Sequence, residues 1–124
     1  NRTAEQVLES HRAALATQDW DAVRCNYDDD AIVINDGGIT EGVDAIVADL
    51  QGVVGLIGGA IPVVVQQQVV SILHGDTHMA RVLYTITTPC LDVPDGADTY
   101  IIKHGKIVAQ TAHGFPVFKC LPPG

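Results

Sequence analysis

From Pro62 onward the chain reads PVVVQQQVVSIL (62–73), MARVLYTITT (79–88), TYIIK (99–103) and KIVAQTAHGFPVF (106–118), four runs rich in β-branched residues. Such side chains are stiff at χ1 and pack well on a pleated surface, so each run predicts a strand. His74-Gly75-Asp76 and His104-Gly105 are short enough for hairpin turns, while the stretch from Asp92 to Asp98, with Pro94 and Gly96, predicts a longer loop. Strands joined in this way run antiparallel, which makes the C-terminal half a four-strand meander.

Before Pro62 the period is helical. Thr3 with Glu5 and Gln6 resembles a capping box and opens a helix to about Thr17, with Val7, Leu8, His11, Ala14 and Leu15 on one face. Asp19 can cap a second helix in which Trp20, Val23 and Tyr27 point the same way. Asp28-Asp29-Asp30 opposes the macrodipole at that helix's C-terminus and predicts a stop followed by a solvated loop. Ala31 to Asn35 and Ile39 to Glu41 flank Asp36-Gly37-Gly38 as a small hairpin. A third helix starts near Val43, keeps its apolar residues at helical spacing through Ile57, and ends at Gly58-Gly59. The sum is an α+β arrangement: three helices on one face of a strongly bent, mostly antiparallel sheet, able to enclose a pocket.

At 124 residues the chain has the length of one domain, expected to span 1–120 with 121–124 as a disordered tail. Hydrophobic residues make up 47% against 18% charged, which excludes intrinsic disorder. Seven basic against fifteen acidic residues give a formal charge of -8, so nucleic acid and anionic membrane surfaces are poor partners. The longest weakly polar stretch, Gly52 to Val65, is broken by glycines and Pro62 and falls short of the roughly 20 residues a spanning helix needs. The start, Asn1-Arg2-Thr3, is expected to be a trimmed or mature end without targeting information. Cys25, Cys90 and Cys120 are odd in number and widely spaced, which argues against a disulfide framework and structural zinc and for a reducing cytoplasm. His74 and His78 flank a turn without a completing acid or cysteine, so no metal site is expected. Neither a phosphate-cradling glycine loop nor a nucleophile elbow is present.

Some polar residues lie where apolar ones are due. His11 sits in the middle of the first helix's apolar face, either as a satisfied core residue or as a pocket group. Asn35 precedes the Asp36-Gly37-Gly38 turn and reads as a turn initiator or as a positioning amide. Asp98 closes an acidic stretch, either solvated or turned inward; an inward carboxyl without a nearby cation has a raised pKa. In 79–88 either parity is apolar enough to face the core, and the pattern prefers Ala80, Val82, Tyr84 and Ile86, which sends Arg81 to solvent.

AALATQDWDAV (13–23) followed by YDDDA (27–31), together with DTYIIKHGKIVAQT (98–111), resembles the opening and the last hairpin of the nuclear transport factor 2-like superfamily. That group includes ketosteroid isomerase, limonene epoxide hydrolase and SnoaL-like cyclases. The resemblance implies a cystatin-like, cone-shaped α+β barrel with a deep apolar cavity, pairing as a homodimer through the outer sheet face. By position it implies roles. His11 falls where ketosteroid isomerase has its oxyanion-hole tyrosine, and Asp98 on that enzyme's second oxyanion-hole residue, a carboxyl kept protonated. Asn35 stands in place of that enzyme's general base; an amide cannot take that part, but limonene epoxide hydrolase also has Asn there, holding water. Arg81-Val82-Leu83 resembles the hydrolase strand with its catalytic Arg and Asp, yet Leu83 and Ala112 replace its two acids. Asp98, His11, Asn35 and Arg81 are thus the candidate catalytic residues, with Trp20, Tyr27, Tyr100 and Gln110 shaping the cavity. The implied function is binding of an apolar carbonyl- or hydroxyl-bearing compound, with cofactor-free isomerase, cyclase or hydrolase activity. The alternative is a non-catalytic dimerisation or ligand-binding module of the same fold.

Overall fold

The computed structural model describes residues 2–120; the expected tail, 121–124, lies outside them. The first helix, α1, spans Ala4–Thr17, and its start is the expected capping box: Thr3 Oγ1 accepts from the Gln6 amide while Gln6 Oε1 accepts from the Thr3 amide. The face carrying Val7, Leu8, His11, Ala14 and Leu15 is buried. Asp19 caps α2, Trp20–Asn26, through the Ala22 amide. The apolar stripe of α3, Val43–Ile57, packs on the sheet. None of these helices is long and apolar enough to cross a membrane.

Strand β1, Tyr27–Asn35, follows α2 directly and turns back into β2, Gly38–Glu41. The acidic triplet is therefore extended strand rather than the expected solvated loop. Asp29 and Asp30 stay exposed because the ladder to the neighbouring strand is interrupted between Tyr27 and Ile32, so this piece escapes the sheet interior.

The meander follows as β3, Val63–His74, β4, Thr77–Thr87, β5, Leu91–Lys103, and β6, Lys106–His113. His104 and Gly105, at φ 52° and 74°, close the last hairpin in the left-handed geometry such turns require. Two expectations fail here. The Asp92 to Asp98 loop is continuous β5; the reversal is made earlier, at Thr88, whose side chain bonds the Leu91 backbone. The last run breaks at Gly114-Phe115-Pro116, and β7, Val117–Phe118, returns to pair with Leu91 and Asp92 of β5.

The sheet order is β2-β1-β6-β5-β4-β3, with β7 also on β5. Its neighbours are antiparallel except β1 and β6, which run parallel and join the N-terminal hairpin to the meander. The sheet curves strongly over the three helices but does not close, so the expected barrel is an open one. The β4 parity follows the pattern: Ala80, Val82 and Ile86 are buried and Arg81 is exposed. Cys90 and Cys120 are joined by a disulfide, with Cys25 free, against the expectation drawn from an odd count; β7 brings Cys120 back beside the β4–β5 turn.

Candidate functional site

Cross-strand register decides what faces the helices. Asn35 lies opposite Ala112, Ala112 opposite Asp98, Asp98 opposite Val82, and Val82 opposite Gln68. The adjoining inward row is Val33, Gln110, Tyr100, Ala80 and Val70. Side chains one register step apart on the same face reach each other. These rows and the buried faces of α1 and α3 surround a cavity of about 370 Å³. Its wall is chiefly aliphatic, with Leu8, Leu15, Ile46, Leu50, Val82 and Ile86 among the lining residues. The exposed residues Asp36, Gly37 and Asp49 line its solvent-facing end.

Asp98 is the centre of the polar wall. Only 8% of it is exposed, and its carboxylate accepts from Tyr100 Oη at 3.0 Å, Gln110 Nε2 at 3.1 Å and Tyr84 Oη at 3.2 Å. Gln110 in turn accepts a short bond from the Tyr27 hydroxyl. Burial pushes the Asp98 carboxyl up to about 6, a rise that the donated hydrogen bonds limit but do not reverse. The same burial, reinforced by the Asp98 charge, holds Tyr27, Tyr84 and Tyr100 above the usual phenol range, so all three keep their protons.

His11 projects from α1 between two of those rings, edge-on to Tyr27 at 5.5 Å and to Tyr100 at 6.2 Å. It is buried, its Nδ1 has no hydrogen-bond partner, and burial with the neighbouring Arg12 charge lowers its pKa to about 4. The imidazole is neutral at neutral pH. Arg12, on the edge of the same helix face, lines the cavity and donates Nη1 to Gln68 Oε1 at 2.8 Å.

The structure thus gathers Asp98, His11, Tyr27, Tyr100, Gln110 and Asn35 around one volume. Asn35 also has its turn role, its Oδ1 accepting from the Gly37 amide at 2.9 Å. Two candidates stand apart. Arg81 projects from the outer sheet face, opposite Thr99 and Val69, because it has the parity opposite to Ala80 and Val82. Trp20 is half-buried against the core and does not line the cavity. Tyr84 and Arg12 complete the wall and were not singled out. The inward parity of β4 carried the signal for Tyr84, but Gly96, the residue that makes room for its ring, read as part of a loop. Among the described residues no three His, Cys, Asp or Glu side chains come together where they could hold a metal ion.

A buried carboxylate with a pKa near 6, beside a neutral imidazole and an apolar hollow, can exchange a proton with a bound molecule at physiological pH.

A family profile described as SnoaL-like domain matches residues 8–110. No curated protein matches the chain. Among solved structures, a protein of unknown function with a cystatin-like fold from Nostoc punctiforme PCC 73102 superposes with a TM-score of 0.75 at 10% identity, covering 94% of this chain and 92% of that one. An NTF-2 like protein of unknown function from Burkholderia xenovorans LB400 gives 0.69 at 23% identity, over 97% and 87% of the two chains. An LEH-like epoxide hydrolase of M. tuberculosis gives 0.64 at 17% identity, over 89% and 80%. At such identities the likeness is one of fold.

Proposed function

The chain belongs to the SnoaL-like domain family, and on that premise we propose that it binds a small, mostly apolar organic molecule carrying a hydroxyl or carbonyl and acts on it by proton transfer without a cofactor. The observation that supports this most is Asp98, a carboxylate with a raised pKa held by three side-chain donors on the wall of an apolar cavity. In this reading Asp98 is the base, His11 a neutral hydrogen-bonding group, and Asn35 an orienting amide toward the open end. Tyr27, Tyr100 and Gln110 fix the carboxylate's position, so that little reorganisation accompanies the proton's arrival. Isomerase, cyclase and hydrolase chemistries can each start with such a transfer, and one protein of like fold is an LEH-like epoxide hydrolase. The non-catalytic module reading expects an interior filled by side chains, and a cavity of about 370 Å³ weighs against it.

The test is a calorimetric panel of small cyclic alcohols and ketones. Members of the panel bind the wild-type protein, and Leu50→Trp, which fills the cavity from α3, abolishes the binding. Any member that is turned over follows an ionisation near pH 6, and Asp98→Asn lowers its rate by roughly 10²–10⁴-fold. Binding of no member, or binding indifferent to Leu50→Trp, overturns the proposal.

We further propose that the protein pairs with a second copy through the outer sheet face and works in the cytoplasm. Ile34, Val69 and Met79 expose apolar area on that face, with Arg81 among them. The Cys90–Cys120 bridge opposes a reducing compartment, and alkylation during lysis decides the point. Three blocked thiols per chain fit the cytoplasm; one fits an oxidising compartment.

A further inference from the structure

The helix over the cavity loosens along its length. Ile46, Asp49, Leu50 and Val53 line the cavity from one face of α3. Along that face exposure climbs, from 3% at Ile46 through half-buried Leu50 to 39% at Val53. The buried residues of α3, which are Val43, Ile46 and Val47, all lie in its first half. Beyond them Leu50, Val54 and Ile57 rest only partly buried against the core.

Composition weakens the same half. Four of the eight residues from Gly52 to Gly59 are glycine. Crowding does not call for the first two: a Cβ at Gly52 or Gly55 would meet nothing within 4 Å, and neither has a positive φ. Alanine fits both positions, and in an exposed helix interior it favours the helical state over glycine about fivefold per site. The last turn has no basic residue to answer the negative end of the macrodipole, and Gly58, at φ 85° and followed by Gly59, gives the chain a pivot where the helix ends. The firm hold comes just before the first glycine, where Thr40 Oγ1 of β2 donates to Asp49 Oδ2 at 2.6 Å. Across the mouth the other rim, Asn35, Asp36, Gly37 and Gly114, is tied down, because Asp36 pairs with His113 at 3.0 Å and accepts from the Gly114 amide. One rim is fixed and the other is loose.

We propose that residues 52–59 form a lid on the cavity, swinging on Gly52 and on Gly58-Gly59, and that a ligand enters and leaves by its opening. Asp49 and Leu50 stay in place while Val53 lifts away, which widens the mouth against the rim held by Asp36. This deepens the proposed function and rests on the cavity being the ligand site.

Hydrogen exchange of the full chain, followed by mass spectrometry, reads the lid without any ligand, and stopped-flow fluorescence with 2-naphthol reads passage. In wild-type protein the amides of 52–57 exchange faster than those of 46–50. Gly52→Ala with Gly55→Ala slows exchange at 52–57 roughly 20-fold and leaves the β4 amides at their wild-type rates. The same variant lowers the association and dissociation rates of 2-naphthol together by a similar factor, with Kd within about twofold of wild type, and Gly55→Ala alone gives about fivefold on each reading. Wild-type exchange at 52–57 as slow as at 46–50, or slowed exchange with the 2-naphthol rates unmoved, overturns the lid and leaves the cavity as a ligand site. If 2-naphthol does not bind wild-type protein, or binds Leu50→Trp equally well, the ligand site itself falls and passage through the lid falls with it.

Discussion

Burial acts on Asp98 and His11 in opposite senses, and the pH dependence of folding carries both. Asp98 keeps its proton up to about pH 6 in the folded chain, whereas an ordinary aspartate releases it near 3.8. The folded state therefore binds more protons between those values, and stability is lost as pH rises through them, by about 3 kcal/mol in all. His11 refuses a proton until about pH 4, whereas the unfolded histidine takes one near 6.5. Its contribution is lost as pH falls through that window, again by about 3 kcal/mol. The two nearly cancel between pH 4 and 6, and single variants expose them. The stability of Asp98→Asn relative to wild type increases from pH 4 to 6, while that of His11→Gln increases from pH 6.5 down to 4. Urea unfolding at four pH values measures both; parallel profiles for the two variants would show that neither side chain is buried as described. Facing Asp98 are Tyr84 on β4, Tyr100 on its own strand and Gln110 on β6, none of which titrates in this range.

Strand β5 depends on a residue with no side chain. Gly96 is buried opposite Tyr84, and a Cβ there would collide with the tyrosine ring. Gly96→Ala displaces that ring, breaks the Tyr84–Asp98 hydrogen bond and costs about 1–3 kcal/mol, readable as a lower urea midpoint. The same glycine explains a misreading. Leu91 to Asp98 carries Pro94, Gly96 and three aspartates, the composition of a loop, and pairing with β4 on one side and with β6 and β7 on the other makes it strand. Asp28 to Asp30 reads as a stop, and α2 does end just before it at Asn26, but the chain stays extended because Tyr27 and Ile32 on either side are both pinned to β6. By contrast, the α1 face, the Asp19 cap and the β4 parity follow from nearest-neighbour rules and were legible. So was His11, a polar residue in an apolar stripe. Arg81 was legible from its parity, and only its resemblance to a catalytic strand placed it inside.

For the whole molecule, the two faces of the sheet divide the work. The inner face holds the polar wall, and the outer face carries Ile34 and Met79 exposed at 50% and 41%. If a second copy covers that face, Ile34→Glu with Met79→Glu yields a monomer by sedimentation and leaves the far-UV spectrum unchanged; wild-type protein that is itself monomeric at high concentration removes the dimer. The helix order and the meander could be read from sequence, but the parallel seam between β1 and β6 could not, since no local pattern names a partner so distant. That seam has a consequence for synthesis. The chain emerges from the ribosome N-terminus first, at roughly 5–20 residues per second, so β1 waits on the order of ten seconds for the strand that will border it. Through that interval Ile32, Val33 and Ile34 are an unclaimed apolar edge, and a nascent chain halted before Lys106 lacks the seam and the part of the cavity wall formed by Gln110, Ala112 and Gly114. Translation must pass β6 before the two halves of the sheet can close on that cavity.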